Sequence, residues 1–202
     1  MIPAVVLAAG ASVRMGTPKA LLLDPDGRPF VARVIRTLQT AGLADIVVVA
    51  GTAFGEVVAA VAADGLSAGT RVIRNPDPGR GQLSSLLAGM DVMRPDTGAV
   101  MVTLVDVPMV RVATARAVAD AWRARGAAIV RPAIGDRHGH PVVFDRRVFE
   151  ALRAAPMSEG AKRVVRDFGN EIENVPVDDE GCLTDVDTPE DYANLTSPRA
   201  RT

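Results

Sequence analysis

Residues 7–19 read LAAGASVRMGTPK and begin inside the apolar run PAVVLAA of residues 3–9. Small residues after a buried strand let a ligand approach the backbone, and successive backbone N–H groups there can form an anion-binding concavity. Arg14 and Lys19 add two positive charges, Ser12 adds a hydroxyl donor, and no acidic residue precedes Lys19. A triphosphate is therefore the ligand that we expect at this loop.

Three common loop patterns do not fit this segment. No Gly-Lys-Ser/Thr sequence marks a P-loop, no glycine stands between Gly10 and Gly16 as the dinucleotide fingerprint requires, and residues 10–14 lack the last glycine of a nucleophile elbow. A small-residue turn that binds nothing stays open as an alternative. Lys19 favours phosphate binding over this alternative, because lysine is rare in the chain. Of its 23 basic residues, only Lys19 and Lys162 are lysines.

Short apolar runs alternate with longer segments whose apolar residues recur at helical spacing. The predicted strands are residues 3–9, 46–50, 71–74, 100–105, 127–131, 141–144 and 172–177, and the predicted helices are residues 29–41, 54–63, 82–93, 112–125, 146–155, 160–168 and 188–195. Strands without polar alternation belong in a sheet that is covered on both faces. We therefore expect an α/β fold, a single-domain Rossmann-like three-layer α/β/α sandwich with a mostly parallel sheet, over residues 1–195, with a flexible tail at 196–202. Ligands of such folds bind at the carboxyl ends of the strands.

Composition excludes several classes of protein. The net charge is −1 and aromatic residues are 3% of the chain, which gives no support for a nucleic-acid partner. No apolar run approaches the roughly 18–20 residues that span a bilayer, and no signal peptide is readable. The one cysteine, Cys182, rules out an internal disulfide and a multi-cysteine zinc site. We expect a cytoplasmic protein with no membrane partner.

Residues 7–19 resemble the signature of the MobA-like nucleotidyltransferases. The Ala8-Ala9-Gly10 form and the Pro18-Lys19 ending look most like the branch of molybdenum-cofactor cytidylyltransferases. The resemblance implies a fold like that of the nucleotide-diphospho-sugar transferases. It also implies an enzyme that needs Mg²⁺, with Mn²⁺ as a substitute, and that transfers CMP from CTP, favoured over GTP, to a phosphorylated small-molecule acceptor such as molybdopterin. A molybdoenzyme or its maturation factor would be the protein partner.

The same resemblance assigns residues to the nucleotide. Arg14 and Lys19 would be the catalytic cations that stabilise charge on the phosphates. The residues that would bind the nucleotide are Leu7, Ala8, Ala9, Gly10, Ala11, Ser12, Gly51, Gly81 and Ser84. For Ser84, simple capping of the helix that begins at residue 82 is an equally simple explanation.

The resemblance also assigns acidic residues to the metal. Asp106, in LVDVP at residues 104–108, would be a ligand, since a carboxylate at a strand's carboxyl end can hold a hard cation. Residues 185–192 read DVDTPEDY, and we expect Asp185, with Asp187 as second choice, to supply the other ligand. A helix cap at Asp106 and a solvated acidic turn at residues 185–191 stay open as alternatives. Val107 departs from the cytidylyltransferase branch, which often has Gln there.

His140, in RHGHP at residues 137–141, would lie on the acceptor side, or be a packed turn histidine. Three other functions compete with a molybdenum-cofactor enzyme. They are a cytidylyl- or guanylyltransferase for another phosphorylated acceptor, an oxidoreductase of the same family that acts on aromatic pigments, and a non-catalytic protein that delivers the cofactor.

Overall fold

The computed structural model describes residues 2–10 and 15–197, and this part of the chain forms eight strands and seven α-helices. The strands are β1 (Ala4–Ala8), β2 (Ile46–Ala50), β3 (Thr70–Arg74), β4 (Ala99–Leu104), β5 (Ile129–Ile134), β6 (Arg137–His138), β7 (Val142–Asp145) and β8 (Ile172–Pro176). The α-helices are α1 (Phe30–Thr40), α2 (Phe54–Ala63), α3 (Gln82–Asp91), α4 (Val112–Arg125), α5 (Phe149–Ala154), α6 (Ala161–Asp167) and α7 (Pro189–Thr196).

All eight strands form one sheet, in the order β3-β2-β1-β4-β7-β5-β6, with β8 paired to β5. The pairs β1–β2, β1–β4, β2–β3 and β5–β8 are parallel, which confirms the mostly parallel sheet. The antiparallel strand β7 lies between β4 and β5. Because β7 joins two strands that are themselves apart in sequence, no local pattern predicts this insertion.

Helices cover both faces of the sheet, as the apolar strands require. Ala4 and Val6 of β1 pack into the cluster that contains buried residues of α1, α2 and α4, whereas Val5 packs into the cluster with α3, α5 and α6. β2 alternates in the same way between the two clusters. The expected three-layer α/β/α sandwich is therefore confirmed.

Local differences from the predicted elements have simple causes. The predicted helix at residues 146–155 begins with a 3-10 turn, Arg146–Val148, where the Asp145 carboxylate accepts a hydrogen bond from the Arg147 backbone N–H. Strand β6 was not predicted, because two residues are too few to show a period. Thr196, the first residue of the predicted tail, ends α7, and residues 198–202 lie outside the described part.

The fold brings the predicted site residues to one edge. β1 and β4 are parallel neighbours, so the segments after Ala8 and Leu104 leave the sheet side by side. Within the residues that the structure describes, no helix is both long enough and apolar enough to cross a membrane.

Candidate functional site

A cavity of about 410 Å³ opens at the carboxyl ends of β1 and β4. Leu7, Ala8, Ala9 and Gly10 form its β1 wall, as predicted for the nucleotide loop. The other lining residues are Lys19, Ala20, Pro78, Gly81, Gln82, Ser85, Leu104, Val105, Asp106 and Asp187. Cavities of this volume are typical of small-molecule sites, and this one lies where α/β sheets usually bind their ligands.

Lys19 joins the two acidic segments inside this cavity. Its Nζ donates a hydrogen bond to Asp106 Oδ2 at 2.9 Å and another to Asp187 Oδ1. Burial acts to lower the pKa of Lys19, but the hydrogen bonds and charges of Asp187 and Asp106 outweigh burial and raise that pKa above its ordinary value. Lys19 is therefore a permanent cation at neutral pH, held 87 and 168 residues away in sequence from its two partners.

The position of Asp187 follows from the start of α7. Thr188 is the N-cap, and Thr188 and Asp191 form a reciprocal capping box, while the Asp191 carboxylate also accepts a hydrogen bond from the Asp187 backbone N–H. The buried Val186 is fixed too, since its backbone N–H donates to the Asp106 carbonyl at 2.8 Å. These bonds direct Asp187 towards Lys19.

Of the two acids predicted here as metal ligands, the second choice, Asp187, lines the cavity and the first choice, Asp185, does not, and the metal contact of each stays a prediction. Asp185 is exposed, and it is near enough to His140 for its charge to affect the pKa of that imidazole. Val186 is buried between the two acidic residues, and Asp187 is the one beside Lys19 and Asp106. The surroundings of the two carboxylates differ because the cap of α7 holds the backbone at Asp187.

The segment before α3 and the first turn of that helix also contribute to the cavity lining. The buried Asn75 donates from its side-chain amide to Ser84 Oγ at 2.9 Å and to Ser85 Oγ at 3.0 Å. Ser84 Oγ donates in turn to the Gly81 carbonyl at 2.8 Å, so Ser84 closes the turn. Ser85 lines the cavity and Ser84 does not, so the nucleotide contact expected at Ser84 stays a prediction. Gly81 also lines the cavity and has φ +92°, which favours glycine.

Gly51 is buried behind the cavity rather than in its lining. A Cβ at this position would lie 2.7 Å from the Ala9 carbonyl oxygen. Gly51 has a packing role, because the missing side chain lets the segment after β2 approach the backbone that follows β1, and the nucleotide contact expected there stays a prediction. A substitution there would displace Ala9 itself.

Three predicted residues, Ala11, Ser12 and Arg14, lie outside the described residues. Their assignment to the triphosphate stays a prediction. Gly10, which precedes them, and Lys19, at the end of the same signature, both line the cavity.

A second cavity, of about 780 Å³, adjoins the first and shares Leu7, Gly81, Gln82 and Leu104 with it. It contains His140, the predicted acceptor-side residue. The charged and titratable residues of its lining are Arg131, His138, His140, Glu159, Lys162 and Arg166. The lining thus has three permanent cations, Arg131, Lys162 and Arg166, and one carboxylate, Glu159, which is paired with Arg166. This excess of positive charge favours an anionic ligand.

His140 is the more buried of the two histidines in the second cavity. Burial lowers the pKa of His140 below its ordinary value, against the smaller opposing effects of the Val102 carbonyl, Asp106 and Asp185. Its Nδ1 lies 3.5 Å from the Val102 carbonyl oxygen. With its Nδ1–H facing this carbonyl, a neutral His140 presents Nε2 as a hydrogen-bond acceptor and adds no charge to the cavity.

The carboxylates fit a hard divalent cation. Asp106 Oδ1 is buried and has no hydrogen-bond partner among the residues that the structure describes. Within the same residues there is no group of three or more His, Cys, Asp or Glu that could enclose a metal. Asp106 and Asp187 would thus hold a cation of the kind that takes its remaining ligands from water and phosphate, as Mg²⁺ does.

Comparisons with known proteins agree with this geometry. The model of the MobA-like NTP transferase domain matches residues 4–175. The crystal structure of Rv0371c from Mycobacterium tuberculosis H37Rv is 33% identical, with a TM-score of 0.80, and the match covers 96% of each chain. A second structure of Rv0371c, in complex with manganese, matches with 29% identity and a TM-score of 0.76, over 96% of this chain and 97% of that one.

This chain matches one curated relative over nearly its whole length and another over only a part. Nicotine blue oxidoreductase of Paenarthrobacter nicotinovorans is 29% identical over 201 residues, which are 96% of each protein. Bifunctional protein GlmU of Rhizobium etli is 34% identical over 107 residues, which are 52% of this chain and 23% of GlmU. The chain thus spans about a quarter of GlmU and nearly all of the oxidoreductase.

Proposed function

The chain belongs to the MobA-like NTP transferase family and is a nucleotidyltransferase, and from this premise we propose that it transfers CMP from CTP to a phosphorylated small molecule. The observation that carries the proposal is the contact of Lys19 with Asp106 and Asp187 in a cavity that opens into a second, cationic cavity. The first cavity would hold the triphosphate and the second the acceptor.

In the proposed reaction an oxygen of the acceptor phosphate attacks the α-phosphorus of the nucleotide. A new P–O bond forms, the bond between the α-phosphorus and the bridging oxygen breaks, and that oxygen leaves with its electron pair on pyrophosphate. A phosphate nucleophile is already ionised at neutral pH, so no general base is required. Catalysis would come from positioning and from stabilisation of charge.

The residues of the first cavity would divide this work. Lys19 would stabilise the charge that accumulates on the transferred and departing phosphates, with Arg14 as the second cation. The backbone from Leu7 to Gly10 would hold the triphosphate, and Gly81 and Ser85 would contact the nucleoside. Asp106 and Asp187 would hold Mg²⁺ or Mn²⁺, which, when bound, neutralises phosphate charge.

The residues of the second cavity would bind and orient the acceptor. Arg131 and Lys162 would attract its phosphate, and the neutral His140 would accept a hydrogen bond from a donor group elsewhere on the acceptor molecule. Apolar residues, among them Leu86, Val142 and Phe144, line the rest of this cavity and suit a less polar body. A molybdopterin-like acceptor fits these requirements, and a molybdoenzyme or its maturation factor would then receive the product.

The preference for CTP rests on the Ala8-Ala9-Gly10 form of the loop. A panel of CTP, GTP, ATP and UTP with Mg²⁺, with binding followed by thermal shift and turnover by pyrophosphate release, tests the proposal directly. CTP should give the largest shift, and pyrophosphate should appear only when a phosphorylated acceptor is added. A larger response to GTP would replace the cytidylyl by a guanylyl assignment.

The full-length similarity to nicotine blue oxidoreductase supports a second candidate, an oxidoreductase that acts on an aromatic pigment. The lack of a dinucleotide fingerprint in the sequence argues against it. NADPH belongs in the same thermal-shift panel, because stabilisation by NADPH, with none by any triphosphate and Mg²⁺, would favour the oxidoreductase.

A further inference from the structure

The ammonium of Lys19 lies where a divalent cation would find its protein ligands. It contacts Asp106 Oδ2 at 2.9 Å and Asp187 Oδ1, and its side chain is only 14% exposed. The same two carboxylates are the ones that fit the metal. An ammonium and a divalent cation repel each other strongly at this range, because little water separates charges in a partly buried site. Lys19 and the metal therefore compete for one position.

We infer that Lys19 is the resident counter-ion of the metal site, and that the triphosphate opens this site to the metal by drawing Lys19 onto its phosphates. Lys19 can make this exchange, since its ammonium ends a flexible chain of four methylene groups and lies in the cavity that would hold the triphosphate. The carboxylates keep a cation between them in both states, first Lys19 and then the metal.

Two consequences follow for binding. Without nucleotide the metal must displace Lys19 and finds only two carboxylates, so its affinity is low. With a triphosphate present, Lys19 has another anionic partner and the phosphates supply further oxygen ligands, so the metal binds well. Metal and triphosphate thus raise each other's affinity, and by linkage the coupling factor is the same in both directions. Lys19 would be a positioning residue for the metal in addition to contacting phosphate.

The test measures Mn²⁺ binding to the full chain without nucleotide, from the loss of the electron paramagnetic resonance signal of free Mn²⁺. Lys19→Met removes the competing charge while keeping an unbranched side chain, and we expect it to bind Mn²⁺ at least about tenfold more tightly than the unaltered protein. Lys19→Arg keeps the charge and should bind Mn²⁺ as weakly as the unaltered protein. Unchanged or weaker Mn²⁺ binding by Lys19→Met would overturn the inference.

A matched control removes the other lysine of the chain. Lys162→Met makes the same change in the neighbouring cavity, so it alters net charge equally without touching Asp106 or Asp187. Its Mn²⁺ affinity should stay within about twofold of the unaltered protein. A tenfold gain in this variant would mean that overall charge, and not the contact of Lys19 with the carboxylates, controls the metal.

The coupling is measured by repeating the titrations with tripolyphosphate at saturation, corrected for the Mn²⁺ that free tripolyphosphate binds. Tripolyphosphate should strengthen Mn²⁺ binding by a larger factor in the unaltered protein than in Lys19→Met, where no counter-ion needs to move. Equal factors in the two proteins would contradict the exchange, even if both bind the metal.

The inference rests on the metal-triphosphate site of the proposed function, but not on the nucleobase or the acceptor. Tripolyphosphate has no base, and no turnover is measured. If Lys19→Met gains Mn²⁺ affinity while no nucleotide supports pyrophosphate release, the counter-ion exchange stands and the proposed reaction fails. If pyrophosphate is released but the Mn²⁺ affinities do not differ, the reaction stands and the exchange fails.

Discussion

Replacement of Asn75 by alanine should both destabilise the protein and weaken nucleotide binding. The Asn75 side chain is 3% exposed and makes three hydrogen bonds: its amide nitrogen donates to Ser84 Oγ and Ser85 Oγ, and its oxygen accepts from the Asp77 backbone N–H at 2.9 Å. Each such bond contributes about 0.5–1.5 kcal/mol net. Ser84 keeps its bond to the Gly81 carbonyl, so we expect a loss near the middle of the summed range, about 2–3 kcal/mol of unfolding free energy.

The functional effect of this substitution follows from the position of the loop. Asn75 holds the segment between β3 and α3, which places Gly81 and Ser85 in the first cavity. A looser segment should raise KM for the nucleotide several-fold and change kcat less, because Asn75 touches neither Lys19 nor the carboxylates.

The assay is equilibrium unfolding in urea, followed by steady-state kinetics at a temperature where both proteins are folded. Asn170→Ala removes the same atoms from an exposed position and should stay within about 0.5 kcal/mol of the unaltered protein. A loss below about 0.5 kcal/mol in Asn75→Ala, or a fall in kcat at unchanged KM, would refute the reasoning.

Three further predictions concern the site. Lys19→Ala and Asp106→Ala should each lower the rate of pyrophosphate release about 100-fold or more while melting cooperatively, and full activity in either variant would refute the proposed mechanism. Asp187→Asn should lower kcat/KM at least about tenfold and Asp185→Asn less than threefold, measured at limiting Mg²⁺, and the reverse order would return the metal to Asp185. Burial lowers the pKa of His140, so its neutral form stabilises the fold above the ordinary histidine pKa, and this stability is lost as the pH falls through the lowered value. Unfolding free energies at pH 7.5 and pH 5 should therefore differ less in His140→Gln, and an equal difference would contradict this role.

Much of the architecture could be predicted because its signals are local. The apolar runs of β1 and β2 have no polar alternation, and Thr188, Pro189 and Asp191 mark the start of α7 within four residues. The helices α2 and α4 have the predicted bounds. Strand β7 shows the limit: its residues read as a strand, but its antiparallel place between β4 and β5 depends on pairing with distant segments.

The residues of the site also differ in whether local sequence or long-range contacts determine their place. Residues 7–19 carry the family signature that predicts a phosphate-binding loop, and the resemblance predicts a metal ligand at Asp106, which follows a buried strand. Neighbouring residues of one chemical type could not be separated: Ser84 and Ser85 are both polar residues at a helix start, and Asp185 and Asp187 are both acids in one extended segment. The structure separates them by position, because Ser85 and Asp187 line the first cavity whereas Ser84 and Asp185 do not.

The sequence by itself determined the layered fold and the family, because short-range periodicity is sufficient for the first and the pattern of residues 7–19 for the second. Only the tertiary structure decided that Lys19 lies between Asp106 and Asp187. It also decided that the Ala9 backbone packs against Gly51, where a side chain would clash, and that Arg131, Lys162 and His140 line one cavity. The physical reason is that the interaction of two charges depends on their distance in space and not on their separation in sequence. Parallel strands with long connections bring together residues that are far apart in the chain.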